Sequence, residues 1–268
     1  MKQILAIALS LAAVLAIPAR AQITVAGTAV EERAARPGER YSGTLTLRNT
    51  GSETEEARMY LTDYTFSADG RSAYGAPGSL PRSSARWIVF SPAQVSIAPG
   101  GEATVGYTVT LPADARLAGT YWSMLMVEGI ERGSAASAAS GARERVRMGI
   151  RPTIRHGVQI ATTVVGTGTP AVRFDGTRAY GAGSAKMLEL DLSNAGDVAY
   201  RPEIRVELYD AAGRAAGSFT SRRGLLYPGT SLRQTFELGA LPAGDYQALV
   251  VADAGGEEVF GAQYRLKL

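Results

Sequence analysis

Cysteine is absent from all 268 residues and histidine occurs once, at His156. Without cysteine there is no thiol nucleophile, no disulfide framework and no thiolate metal site, and a single histidine excludes a multi-His metal centre. No G-x-S-x-G elbow offers His156 a serine to activate, so it reads as a strand residue near the end of a first domain. No calcium-loop spacing occurs. The adjacent carboxylates Glu31-Glu32, Glu55-Glu56 and Glu257-Glu258 would point to opposite faces of a strand, which rules out an acid/base pair in each case. Gly166 and Gly168 follow a strand pattern, precede Pro170 and open no helix, so they make no dinucleotide fingerprint. The chain is therefore expected to be non-enzymatic, with no catalytic residue, no metal ligand set and no cofactor.

Long apolar runs are also missing, except at the start. Lys2 precedes an apolar stretch from Ile4 to Ile17, and Pro18-Ala19-Arg20-Ala21 ends in an A-x-A pattern. This reads as a secretory signal peptide over residues 1–21, too short for a comfortable membrane span. The mature chain is expected to be periplasmic or secreted. The formal charge of +3 counts Lys2 and Arg20, and without them it is +1. A pI of about 9.2 is then no sign of nucleic-acid binding.

What is present is a strand-and-turn order stated twice. The first copy runs Asn49-Thr50-Gly51, an alternating stretch, Ser67-Ala68-Asp69-Gly70, Ala98-Pro99-Gly100, Leu111-Pro112-Ala113 and Gly119-Thr120-Tyr121. The second runs Asn194-Ala195-Gly196, an alternating stretch, Tyr209-Asp210 with Gly213, Tyr227-Pro228-Gly229, then Leu241 to Tyr246. Period-two alternation at Tyr41–Arg48, Met59–Phe66, Val105–Val109, Leu188–Leu192, Ile204–Leu208 and Tyr246–Val251 predicts strands with one buried face. The fold class expected is all-β, two tandem Ig-like β-sandwich domains over 22–165 and 166–268. Tyr121 and Tyr246 each open a strand after a Pro/Gly turn and are expected to bend their hydroxyls back onto the backbone as tyrosine corners. Arg71 to Ser84 reads as a long loop, and the Gly/Ser/Ala run Gly133 to Ala142 as a second.

Binding chemistry is easier to find than catalysis. In Arg143 to Arg151, Val146, Met148 and Ile150 fall two apart and share one face of a strand, with Arg145, Arg147 and Arg151 on the other. Inside a sandwich that apolar face is core. At an edge it is a comb beside unpaired backbone groups, open to strand addition by another chain.

The order Leu45–Gly51, Trp87-Ile88-Val89-Phe90-Ser91-Pro92, Ile97-Ala98-Pro99-Gly100, Tyr121-Trp122, a long loop and an alternating last strand resembles the periplasmic chaperones of chaperone–usher pilus systems over roughly residues 23–160. The resemblance implies two Ig-like domains at an angle. It also implies that Val146, Met148 and Ile150 donate to an incomplete subunit and that basic residues anchor the subunit's terminal carboxylate. Arg155 is the nearest match on the last strand and Arg33 the nearest on the first. The expected function is an exported chaperone-like protein binding β-rich or pilus-type subunits by strand addition. The alternative is a structural or adhesive envelope protein that binds surface polysaccharide or protein, with Tyr74 or Trp87 as contacts. Neither reading needs nucleic acid or an integral membrane segment.

Overall fold

The computed structural model describes residues 23–130, 154–182, 185–255 and 258–268. The leader over 1–21 and the comb Val146, Met148 and Ile150 lie outside the described residues.

The chain is all-β, built as two sandwiches in tandem. Among the described residues ten strands make the first: β1 Ile23–Ala26, β2 Val30–Ala35, β3 Arg40–Asn49, β4 Glu55–Phe66, β5 Ser72–Gly75, β6 Ile88–Ser91, β7 Gln94–Ile97, β8 Glu102–Thr110, β9 Thr120–Ile130 and β10 Arg155–Val164. One sheet has the order β1-β3-β8-β6, and the other runs β2-β10-β9-β4-β5 with β7 also on β4. The first segment thus changes sheets: β1 pairs antiparallel with β3, whereas β2 pairs parallel with β10. Seven strands among the described residues make the second sandwich: β11 Val172–Ala182, β12 Ala185–Asn194, β13 Glu203–Asp210, β14 Ala215–Arg222, β15 Ser231–Gly239, β16 Asp245–Asp253 and β17 Val259–Lys267. Their sheets are β11-β12-β15 and β14-β13-β16-β17.

Alternation in the sequence becomes alternation in burial. On β16 the residues Tyr246, Ala248, Val250 and Ala252 are buried while Asp245, Gln247 and Leu249 are exposed. On β8 the same holds for Val105, Tyr107 and Val109. Leu45, Leu47, Leu125, Val127, Val158 and Ile160 fill the first core; Leu188, Leu190, Leu192, Ile204, Val206 and Leu208 fill the second. Tyr107 needs a glycine opposite: a Cβ on its partner Gly43 would overlap its ring.

The repeated turn signature produces a repeated lock. Asn49 donates its side-chain amide to Glu53 O and Ile97 O and accepts from Gly51 N. Asn194 donates to Val198 O and Leu226 O and accepts from Gly196 N. In both copies the asparagine backbone also closes the Pro-Gly turn, through Gly100 N to Asn49 O and Gly229 N to Asn194 O. An asparagine is required because it alone among short side chains carries two amide donors beside an acceptor.

Two expectations need correcting. Arg71 to Ser84 is not simply a loop: it carries β5, which pairs with β4 from Asp63↔Gly75 to Phe66↔Ser72. All four residues of β5 are exposed, so no burial alternation marks it in the sequence. The following turn then folds over Asp63, whose buried carboxylate accepts from Gly78 N, Leu80 N, Ser79 Oγ and Ser83 Oγ. The second correction concerns the tyrosine corners. Tyr246 donates to Pro242 O at 3.0 Å, four residues upstream. Tyr121 makes no such bond among the described residues; its ring packs on Trp87 at 4.7 Å with the Arg82 guanidinium 5.5 Å from it. Tyr121 follows Pro112 by nine positions, against four from Pro242 to Tyr246, and the longer turn puts that carbonyl out of reach.

Between the sandwiches lies a small third cluster of Trp122, Ala161, Leu225 and Tyr227. Thr120 N donates to Asp197 O at 2.8 Å and Ala199 N to Thr120 Oγ1 at 2.9 Å. Gly119 sits at φ 74°, a conformation that favours glycine, and a Cβ there would collide with the Asp197 carbonyl.

Candidate functional site

The last described strand of the first sandwich is only half covered. β10 pairs along its length with β9, from Arg155↔Glu128 to Thr163↔Thr120. On its other side β2 begins only at Val30, opposite Gln159, and continues to Ala35 opposite Val164. Arg155 to Val158 therefore have no strand on that side among the described residues. Gln159 N donates to Ala29 O on the β2 side. Strand geometry alternates, so the backbone groups of Gly157 and Arg155 point the same way and meet no partner strand there. Unpaired N–H and C=O groups of this kind are the template for β-augmentation.

Beside this edge the outer face of the sheet is organised in rows. Cross-strand register places Arg58, Glu128 and Arg155 in one row, Tyr60, Met126 and Gly157 in the next, and Thr62, Met124 and Gln159 in a third. Met124 and Met126 are 5% and 6% exposed although they face away from the core. Their thioethers lie across Gly157, where a Cβ would run into both sulfurs. Thioethers adapt to irregular surroundings, so this row can repack around a new neighbour.

The Glu128 carboxylate is held by two arginines, from Arg58 Nη2 at 3.0 Å and Arg155 Nε at 3.2 Å. Burial alone would raise its carboxyl, but the hydrogen bonds from Arg58 and then Arg155 outweigh that and hold it below the usual range. Both guanidiniums keep about half their surface in solvent, leaving the triad one net positive charge.

Of the expected anchors, Arg155 sits at the open end of β10. Arg33 is exposed on β2 opposite Thr162, seven residues further along. At about 3.3 Å per residue that is roughly 23 Å away, so the fold does not bring the two together. The basic neighbour of Arg155 across Glu128 is Arg58. Sequence reading missed Arg58 because the pairing depends on β4 and β10 flanking β9. His156 faces the core side opposite Val127, and its Nε2 is buried with no hydrogen-bond partner among the described residues. Among the described residues no group of three or more His, Cys, Asp or Glu is placed to hold a metal ion.

No protein-family model matches the chain, and no curated protein matches it. Among solved structures it is similar to the class 5 fimbriae chaperone CfaA, at 9% identity and a TM-score of 0.46 over 90% of this chain and 98% of that one. It is also similar to the Escherichia coli chaperone DraB, at 14% identity and a TM-score of 0.41 over 92% and 97%. The Pseudomonas aeruginosa CupB2 chaperone matches at 16% identity and a TM-score of 0.39 over 91% and 100%. No described helix is long and apolar enough to cross a membrane.

Proposed function

We propose that the chain is an exported, chaperone-like binding protein that engages a β-rich partner subunit by strand addition along β10. The single observation that carries this reading is the edge from Arg155 to Val158, which among the described residues has no partner strand on the β2 side. The adaptable Met124 and Met126 row beside it supports the same reading. The comb Val146, Met148 and Ile150 would extend that edge toward the N-terminus of β10, presenting apolar side chains to the partner every second residue. Arg155, with Arg58 rather than Arg33 as its companion, would supply the positive charge near an acidic group of the partner.

The test is co-purification of the tagged mature chain with subunits encoded and exported alongside it. Replacing Met148 and Ile150 with Asp should abolish the stoichiometric complex while the melting temperature of the chain stays unchanged. Arg155→Pro removes an edge-facing N–H without touching the ladder to β9 and should weaken the complex independently. Undiminished complexes with both variants would sink the reading.

A further inference from the structure

A cavity of about 380 Å³ is lined from the first sandwich by Tyr64, Phe66, Ser67, Arg71 and Ser72, and from the second by Arg223, Leu225, Ser231 and Arg233. Its size falls among small-ligand sites, about 300–1,000 Å³. The two halves are pinned beside it by Ala68 N donating to Ser231 Oγ at 2.9 Å, so the walls are held in place before any ligand arrives.

The lining has three kinds of chemistry. One wall is aromatic: Tyr64 and Phe66 have centroids 5.6 Å apart, and Tyr64 in turn packs at 5.3 Å on Tyr74, which is 58% exposed. The rim is cationic. Arg233 is fixed by a two-point bond to Asp191, and Arg71 by Asp69 within its own turn. Arg223 is exposed, and its guanidinium has no hydrogen bond or ion pair among the described residues. Glu189, the remaining nearby acid, is shared between Arg233 and Arg178. Counting Arg178, which does not line the cavity, four arginines outnumber Asp69, Asp191 and Glu189 by one, and Arg223 is the one left over. The third element is hydroxyls, from Ser67, Ser72 and Ser231, of which Ser72 makes no side-chain hydrogen bond among the described residues.

We propose that this cavity binds a short anionic saccharide bearing uronic-acid carboxylates. Sugar rings present a flat C–H face that packs on aromatic walls, hydroxyls that pair with serines, and here a carboxylate that an arginine fork takes in two points. Arg223 supplies the unspent fork, Tyr64 and Phe66 the platform. An acidic peptide would use the arginines but leave the platform unmatched, and a neutral sugar would do the reverse. The assignment goes beyond strand addition and does not depend on it.

Calorimetric titration of the mature chain, residues 22–268, tests it with three probes: trigalacturonate, its methyl ester, and triglutamate. Trigalacturonate should bind, with affinity falling as salt screens the charge. The methyl ester and triglutamate should each bind about tenfold more weakly or not at all. Arg223→Ala, at an exposed side chain with no described partner, should weaken trigalacturonate by about tenfold with an unchanged melting temperature. Phe66→Leu, which keeps an apolar floor but removes the ring, should weaken it as well. Equal binding of triglutamate would overturn the saccharide assignment, and so would trigalacturonate binding that Arg223→Ala leaves intact, or no binding at all. None of these results touches the β10 edge, whose variants fail or succeed in a separate complex.

Discussion

Trp122 of the first sandwich and Tyr227 of the second lie face to face, ring centroids 4.5 Å apart and planes 14° from parallel. Tyr227 is fully buried, and its hydroxyl donates to Gln159 Oε1 at 2.7 Å, on β10 next to the open edge. Burial pushes its phenol well above the ordinary value, so it stays a neutral donor. Among its contacts with the first sandwich, the second thus sets one ring against the strand that carries the proposed function.

Tyr227→Ala should cost about 3–5 kcal/mol, as for other buried aromatics, and split a single calorimetric transition into two. Tyr227→Phe removes only the bond to Gln159 and should cost about 1 kcal/mol with the single transition kept. An unchanged melting curve for the alanine variant would show that the stack contributes nothing.

Asp63 should contribute to stability in acid. Burial would raise its carboxyl, but donors from Ser83, Leu80, Gly78 and Ser79 outweigh that and lower it from the usual 3.8. A carboxyl lowered in the folded state stabilises fully above its unfolded value, and that contribution is lost as pH falls through the folded value. Unfolding free energy should thus decline in the native chain below about pH 4, and decline less steeply in Asp63→Asn. Asp63→Ala, which orphans the donors of residues 78–83, should cost about 3 kcal/mol at neutral pH. Denaturant titrations across pH 2.5–7 measure both; identical slopes for native and Asn chains would refute the assignment.

The paired asparagines offer an internal control. Asn49→Ala and Asn194→Ala each remove three hydrogen bonds from a buried turn. Each should cost about 2–3 kcal/mol, and the two costs should agree closely because the geometry does. Chemical denaturation of both variants is the check, and a cost at one site alone would show the locks to be unequal.

The tyrosines at the strand openings should behave differently from one another. Tyr246→Phe loses the bond to Pro242 O and should lower stability by about 1 kcal/mol. Tyr121→Phe keeps its packing on Trp87 and should change it by less than about 0.5 kcal/mol. Equal effects in thermal melts would argue against the difference in geometry.

The sandwiches were legible because their signals are local. Period-two runs such as Leu188 to Leu192 and the Asn-x-Gly turns carry their geometry in neighbouring residues. The site was harder to read because its members meet only across strands. Arg58 and Arg155 stand 97 positions apart in the chain and are joined by Glu128 between them. Asp63 gave no sign either, since all its donors but Ser123 come from a Ser- and Gly-rich stretch whose composition says only that it turns. Tyr121 misled because the Gly-x-Tyr spacing matched while the distance back to Pro112 did not.

The late start of β2 has one more consequence. A strand laid alongside Arg155 to Val158 runs out of sheet edge where Ala29 already bonds Gln159 N. For any strand laid there, the chain's own first segment would be a backstop: that strand would butt against it, and collision would decide where it halts before any side chain is read.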